Sequence, residues 1–439
     1  MSDWTLEQLT EWDTKICEIG KNMGLDWFPI VYEVIDYYDM ISAMSHHGMP
    51  SHYNHWSYGK SFESILYRYN EGETGLPYEM IINSNPSTAY LMRENPLFLQ
   101  ILIMAHCVGH SDFFKNNRAF AHTNPTSVVA SMRASKKQIQ SYIEDPSIGI
   151  EKVEKVIDCA HALAFNTELL GRDREAHASK KKKFSDLIRN DQDGTWHGFD
   201  LTRIPLEPDY DLLAFIGEHG KHLEDWEREV INLIREESVY FAPQMRTKIC
   251  NEGFAVWTHK KIIEALDLPQ ELHIPFMKSH NQVVRPAEGT INPYYMGLYF
   301  FERIEKEQGI PGVMLAREFY HDESMIREFV DEKTCEDLGL FTYSLKKSRS
   351  SESIISIDDV PSDGWKEIRQ SLIDQIGANQ IPKIYVDDLR QDGTLILRHD
   401  HEGRDLDLEH AEHVVKQIKT LWKRPVKLFT VLEDEDFEI

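Results

Sequence analysis

The sequence predicts an α+β protein with a mainly helical N-terminal domain over residues 1–340 and a small C-terminal domain over residues 341–439. In the first part, apolar residues recur with the helical period over long stretches that are separated by irregular segments. In the second part, short strand patterns and helical patterns follow one another in the order βαββαβ, which is the ferredoxin-like arrangement.

The N-terminal domain is expected to begin with a helix over residues 4–23, because its apolar residues have helical periodicity and Gly24 is a suitable C-terminal cap. Residues 45–60 have neither helical nor strand periodicity and contain two glycines and a proline. They predict a loop that is unusually rich in histidine and aromatic side chains. A short apolar run over residues 79–83 predicts a strand.

The middle of the chain differs in composition from the rest. Residues 166–210 contain a run of four lysines followed by acidic residues, which predicts a charged surface insertion rather than a polybasic binding site. Helical periodicity returns over residues 211–266, where Pro243 is expected to separate two helices. In the C-terminal domain we expect strands over 353–358, 381–386, 393–398 and 426–432, and helices over 364–376 and 406–422.

The composition is that of a soluble, folded and strongly acidic protein. Apolar residues make up 41% of the 439 positions, and 73 acidic against 48 basic residues give a formal net charge of −25. That charge argues against nucleic acids and anionic membranes as partners, since both bind clustered cations. No secretory signal is visible, and the apolar run at 97–105 is shorter than the ~20 residues of a spanning helix. Five scattered cysteines indicate no disulfide framework, so we expect a cytoplasmic protein.

Two histidines lie on the helix that this apolar run predicts. His106 and His110 are four residues apart, so their imidazoles project from the same face of a buried helix and could hold one divalent ion. The spacing alone is not specific, because a chain with 20 histidines contains about one such pair by chance. Buried histidines that are only hydrogen-bonded are the alternative.

A second segment makes the metal hypothesis more specific. In gluzincin aminopeptidases, one helix supplies two histidines, and the glutamate of an Asn-Glu-Gly-Phe-Ala segment on a later helix supplies a third ligand. Residues 251–255 resemble that segment, and Glu252 is the matching position. His259 shares its helical face and could be a fourth ligand or a hydrogen-bond partner. The alternative, a surface carboxylate, is disfavoured by the bulky neighbours.

The general base of those peptidases is missing here. The position after the first histidine, where they have a glutamate, is Cys107. The usual peptidase mechanism therefore does not follow, and another side chain would have to take the proton. The candidates are Asp112, His55, Glu236 and Glu237. Two histidines and a carboxylate suit Zn²⁺, and also non-haem Fe²⁺.

The chain resembles the SpoVR family through several ungapped blocks in the family's order. Residues 48–50 and 55–60 are similar to its GMP and HWSFGK segments, and residues 82–86 are similar to its INSNP segment. The block HCVGHSDFFKNN at 106–117 resembles its HVxGHxDFFKNN, which also lacks the glutamate. Further segments that resemble the family lie at 243–244, 247–248, 251–255 followed by His259, and 291–294. Phe254 stands where the family usually has a tryptophan.

The resemblance implies a cytoplasmic protein that is linked to spore cortex formation in sporulating bacteria and to stress physiology in others. It also implies a PrkA-type protein kinase and a von Willebrand-like protein as candidate partners. It implies no settled reaction. We expect a metal-dependent hydrolase acting on an amide bond in a peptide or a peptidoglycan precursor. Its metal residues would be His106, His110, Glu252 and His259, while His55 and Lys60 would contact the substrate. The alternative is a non-catalytic, metal-stabilised assembly protein.

Overall fold

The computed structural model describes residues 4–73, 75–77, 79–167, 175, 177–190, 195, 199–286, 291–340, 343–347, 353–357, 364–432 and 435–439. The chain divides into two compact units, each formed by two stretches of sequence. Unit 1 contains Met1–Lys136 and Gln244–Asn379, and unit 2 contains Lys137–Pro243 and Gln380–Ile439. The domain boundary expected at residue 340 stays a prediction.

Helices predominate among the described residues. They are α1 (Leu6–Asn22), α2 (Tyr37–Ser45), α3 (Trp56–Asn70), α4 (Leu97–Asn116), α5 (Val128–Glu144), α6 (Ile150–His161), α7 (His177–Arg189), α8 (Leu212–His219), α9 (Asp225–Arg246), α10 (Lys248–Leu266), α11 (Gln270–Val283), α12 (Pro293–Phe319), α13 (Asp322–Phe329), α14 (Glu332–Leu338), α15 (Gly364–Asp374) and α16 (Leu408–Trp422). The strands are β1 (Ile30–Ile35), β2 (Glu79–Ile82), β3 (Ser87–Met92), β4 (Tyr343–Lys347), β5 (Ser353–Ile357), β6 (Lys383–Leu389), β7 (Leu395–Asp400), β8 (Val426–Leu432) and β9 (Glu435–Glu438).

A small mixed sheet in unit 1 has the strand order β1-β3-β2. β1 pairs with β3 in parallel, and β2 pairs with β3 antiparallel. The sequence predicted β2 but neither of its companions. β3 is buried at most positions on both faces, so its sequence lacks the alternation that marks a half-exposed strand.

The C-terminal elements occur in the predicted order, but the predicted ferredoxin-like sheet is wrong. β5 pairs antiparallel with β4 in a separate two-stranded sheet. The other sheet has the order β6-β7-β8-β9, with β7 and β8 parallel and the outer pairs antiparallel. In a ferredoxin-like fold, the first strand of the motif belongs to the same sheet as the later strands. The sequence patterns identified these strands but could not show which of them pair.

Two helix boundaries also differ from the predictions. α3 begins at Trp56, inside the segment predicted as a loop, because His55 caps its first turn and accepts a hydrogen bond from the Ser57 N–H. Pro243 does not separate two helices; it lies within α9, which continues to Arg246. The expected charged insertion includes α7, although several of its residues lie outside the described ranges.

The central helix of unit 1 is α4. Its residues from Leu99 to Phe114 are all buried, so the helix is surrounded by the core. Within the described ranges it is the one helix long and apolar enough to cross a membrane, and 89% of its apolar window is buried inside the folded chain. Such burial is typical of a core helix in a soluble protein.

Close backbone contacts join α4, α10 and α12. A Cβ atom on Gly109 would lie 2.7 Å from Cα of Ala255, and one on Gly253 would lie 2.4 Å from Cα of Gly297. Only glycine allows backbones to approach this closely. The residues next to these crossing points on the three helices are therefore brought together, and they include the candidate ligands.

Candidate metal centre

Four side chains from three elements converge where α4 crosses α10. His106 and His110 come from α4, Glu252 from α10, and Glu79 from the start of β2. Nε2 of His106 and Nε2 of His110 lie 3.6 and 3.5 Å from Oε2 of Glu252. Nε2 of His106 also lies 3.9 Å from Oε1 of Glu79. Ligand atoms of Glu79, His106 and His110 all lie within 4.8 Å of one another.

These distances fit a metal site better than a hydrogen-bonded cluster. A tetrahedral zinc site with bonds of ~2.1 Å separates its ligand atoms by roughly 3.4 Å. A charge-assisted hydrogen bond would bring nitrogen and oxygen to ~2.8 Å. Oε2 of Glu252 is buried and has no close hydrogen-bond partner in the part of the chain that the structure describes. Since such an oxygen is costly to bury alone, the donor set fits a divalent transition metal.

The ionisation of these groups also favours a bound cation. Burial opposes ionisation of Glu252, but the two imidazoles outweigh it and hold the pKa of its carboxyl well below the usual range. Burial raises the pKa of the Glu79 carboxyl, and the histidines offset this only in part. Burial lowers the pKa of His110, but Glu252 more than compensates and raises it. A proton on His110 would have to leave when an ion binds, because a metal ligand must be a neutral imidazole.

A hydrogen bond orients the second histidine of the pair. Nδ1 of His110 donates to Oδ1 of Asn251 at 2.9 Å, since an amide oxygen can only accept. This leaves Nε2 of the neutral imidazole free of a proton and turned toward Glu252, as a metal ligand requires. Asn251 and Glu252 are adjacent on α10, so one turn of helix supplies both a candidate ligand and the residue that orients another.

A chain of three buried histidines leads away from the site. Nδ1 of His106 lies 3.0 Å from Nδ1 of His259, and Nε2 of His259 lies 2.9 Å from Nδ1 of His280. With Nε2 of His106 on an ion, its Nδ1–H donates to His259, whose Nε2–H donates to His280. Burial lowers the pKa of His259 and of His280, so both are neutral, as this pattern needs. Of the two roles left open for His259, this geometry favours that of a hydrogen-bond partner of the candidate ligand His106.

The site opens on a cavity of about 580 Å³. Its wall includes Glu79, His106, His259, His280 and Tyr294, together with Leu76, Pro77, Leu102, Val283 and Pro293. Tyr294 lies beside Glu252, and its ring centre lies 6.4 Å from that of His106. The charge of Glu252, with burial, raises the pKa of Tyr294 well above its usual value, so this hydroxyl stays protonated.

The other predicted catalytic residues belong to other parts of the fold than the candidate ligands. His55 lies at the start of α3, where its Nδ1 is 2.7 Å from the Ser57 hydroxyl. Lys60 is exposed, with its ammonium 5.7 Å from the centre of the Trp56 ring. Neither is among the described residues that line the cavity. Glu236 and Glu237 belong to α9, in the part of that helix assigned to unit 2, whereas the candidate ligands belong to unit 1.

Two further residues of the 106–117 block serve the packing of α4. Cys107 is fully buried, and burial raises the pKa of its thiol, so it cannot replace the missing base. Asp112 is also fully buried and pairs with Arg317 at 2.6 Å, while it accepts a hydrogen bond from the Asp26 N–H. Its oxygens are therefore already used in structural contacts.

Four residues of this site had no role predicted from the sequence, namely Glu79, Asn251, His280 and Tyr294. Tyr294 belongs to the segment at 291–294 that resembles the family's INPY, and Asn251 to the segment at 251–255, but neither had been given a role. Glu79 is the carboxylate at the start of the predicted strand over 79–83. His280 had no signal in the sequence beyond its residue type.

The family comparisons cover nearly the whole chain. Residues 3–381 match the family described as SpoVR like protein, and residues 382–433 match the SpoVR-like C-terminal domain. The chain belongs to the SpoVR family. It is 31% identical over 486 aligned positions to the "Uncharacterized protein YcgB" of Escherichia coli K12, which covers 100% of this chain and 94% of that protein. No solved structure matches the chain.

Membership in the SpoVR family confirms the resemblance seen in the motifs. It adds no reaction, because the relative from Escherichia coli is itself described as uncharacterized.

Proposed function

We propose that this chain is a cytoplasmic, metal-dependent hydrolase that cleaves an amide bond in a peptide or a peptidoglycan precursor. The observation that supports this is the spacing of Glu252 from two imidazoles, 3.6 and 3.5 Å, beside a large cavity. Two nitrogens with one or two carboxylates suit Zn²⁺, with Fe²⁺ as the alternative.

His106, His110 and Glu252 would hold the ion. When bound, a divalent ion supplies Lewis acidity, which polarises a carbonyl and makes water acidic near neutral pH. Glu79 would act as the general base that Cys107 cannot provide, because its carboxylate lies beside the ligands and lines the cavity. In this proposal Glu79 is the general base and Tyr294 contacts the substrate, while the catalytic roles of His55, Lys60, Glu236 and Glu237 stay predictions.

The proposed reaction is a hydrolysis in which water is the only reactant besides the amide. Water adds to the amide carbon while Glu79 accepts its proton. The Tyr294 hydroxyl donates a hydrogen bond to the amide oxygen as it becomes negative. Glu79 then returns the proton to the amide nitrogen, the C–N bond breaks, and a carboxylic acid and an amine are released.

The second candidate is a non-catalytic assembly protein in which the ion only stabilises unit 1. Cys107 favours this view, because the glutamate that usually follows the first histidine is absent. The PrkA-type kinase and the von Willebrand-like protein that the family resemblance implies would then be partners in assembly. Under either function, a role in spore cortex formation or in stress physiology is a proposal that rests on the family resemblance alone.

A comparison of Glu79→Gln with the wild type separates the two functions. Zn²⁺-loaded proteins are incubated with a library of N-acetylated peptides and with peptidoglycan stem peptides, and the products are identified by mass spectrometry. The wild type should cleave some of them, and Glu79→Gln should keep its ion but lose ~10²–10⁴-fold in rate, the usual contribution of a general base. A zinc-loaded wild type that cleaves nothing in either set would support assembly instead.

A further inference from the structure

We propose that the cavity beside the candidate metal centre binds an uncharged, apolar side chain of the substrate. The chain would then act next to leucine-like or phenylalanine-like residues and reject acidic ones. This inference rests on the proposed function, since it names the substrate class of the same site.

The composition of the wall supports an apolar occupant. Leu76, Pro77, Leu102, Val283 and Pro293 line the cavity together with the histidines and Tyr294. Leu102 precedes His106 on α4 by one helical turn, so a side chain that contacts Leu102 lies close to the candidate ion. The cavity, about 580 Å³, falls within the ~300–1,000 Å³ of small-molecule pockets. That is far more room than an ion and a water molecule need.

The charges around the cavity argue against an acidic occupant. Among the described residues that line it there is no lysine or arginine. Glu79 and Glu252 bring two carboxylates to the site, and a divalent ion would balance these two charges. Among the described residues that line the cavity, no cation would be left to pair with a carboxylate on the substrate, and an unpaired buried carboxylate is costly.

Hydrogen bonds hold this wall in shape. Nδ2 of Asn292 donates to the carbonyl oxygens of Val283 and Arg285 at 2.9 and 2.8 Å. Oδ1 of Asn292 accepts from the Tyr294 N–H at 3.0 Å. Asn292 thereby ties the end of α11 to the start of α12, and it fixes Val283 and Tyr294 around one cavity. A pocket formed before binding loses little affinity to rearrangement.

Hydroxamates provide probes that bind a metal site without turnover. We would measure the binding of N-acetylated leucine, alanine and glutamate hydroxamates to the Zn²⁺-loaded chain by isothermal titration calorimetry. The leucine compound should bind at least about tenfold more tightly than the alanine compound, since each methylene in an apolar pocket has an effect of that order. The glutamate compound should bind more weakly than the leucine compound.

A charge introduced into the wall should reverse this preference. Val283 is half-buried and lines the cavity, so Val283→Arg should make the glutamate compound bind more tightly than the leucine compound. Val284→Arg is the neighbouring control, because Val284 is also half-buried but is not among the residues that line the cavity. It should keep the wild-type order. Chelator competition should give the same Zn²⁺ affinity for the wild type and both variants.

The outcomes distinguish a failure of the pocket proposal from a failure of the proposed metal site. Equal affinities of the wild type for the three hydroxamates would overturn the pocket proposal while leaving the metal site intact, and this result does not depend on any variant folding. An unchanged order in a folded Val283→Arg would overturn it as well. Wild-type protein that binds no Zn²⁺ would refute the proposed function, and the pocket proposal with it.

Discussion

Replacing Gly109 with alanine adds one methyl group, which should push apart the two helices that carry the candidate ligands. A Cβ atom there would stand 2.7 Å from Cα of Ala255 and 3.0 Å from Cβ of Thr258. Non-bonded carbon atoms pack at ~3.5–4.0 Å, so α4 and α10 would have to move apart by about 1 Å in Gly109→Ala. Overpacking of this kind destabilises a core by ~1–3 kcal/mol.

Gly59→Ala is the matched control for this substitution. An alanine in a helix gains up to ~1 kcal/mol over glycine, which would conceal part of the packing cost at Gly109. Gly59 lies in α3, is exposed, and has no atom within 4 Å of a Cβ built on it. Gly59→Ala should therefore be more stable than the wild type. The difference in free energy of unfolding between the two variants should then be the packing cost alone, ~1–3 kcal/mol.

Hydrogen–deuterium exchange of α4 and α10 peptides in increasing urea measures the free energy of unfolding of unit 1 in each variant. The same separation would lengthen the contacts of 3.5 and 3.6 Å between Glu252 and the histidines. Zn²⁺ affinity of Gly109→Ala should fall about tenfold or more, on the scale of other changes that disturb ligand orientation. Equal stability of the two variants with unchanged Zn²⁺ affinity would refute the proposed contact between the helices.

Two other predictions concern residues that support the candidate ligands. Asn251→Ala should weaken Zn²⁺ binding by ~10–100-fold in a chelator competition, because Nδ1–H of His110 loses its acceptor, whereas Asn281→Ala at an exposed position should not. Asp322 accepts hydrogen bonds from the Ile249 and Cys250 N–H groups of α10, and burial raises the pKa of its carboxyl from 3.8 to about 6. The folded chain then binds this proton more tightly than the unfolded chain, so the contribution of Asp322 to stability should increase as the pH falls through about 6 and level off below 3.8. Asp322→Asn should remove this contribution from the pH profile of urea denaturation, and an unchanged profile would contradict the assignment.

The sequence predicted the part of the site that depends on helical periodicity. His106 and His110 share one face of α4, and Glu252 and His259 share one face of α10, because residues four or seven apart on a helix are neighbours. The structure brings these two faces together at the crossing of Gly109 and Ala255. That close crossing could not be read from the sequence, because it depends on the packing of two distant segments.

The residues that sequence analysis missed are those that reach the site from other elements. Glu79 is at the start of a short edge strand, and Tyr294 is in the first turn of α12, so their positions depend on how the sheet and the helices pack. The pairing of β5 with β4 was missed for a similar reason, since a strand pattern carries no information about its partner. His55 and Lys60 were chosen because they lie in a histidine-rich segment, which the structure shows to be the start of a helix.

The metal content of the purified chain tests the central claim most directly. After incubation with Zn²⁺ and removal of the free ion, mass spectrometry of the wild type should find about one ion per chain, as expected for a single set of ligands. His110→Ala and Glu252→Ala should each lose most of it, while the exposed control Asn281→Ala should keep it. A wild type that retains neither Zn²⁺ nor Fe²⁺, or ligand variants that retain the ion as tightly as the wild type, would contradict the account.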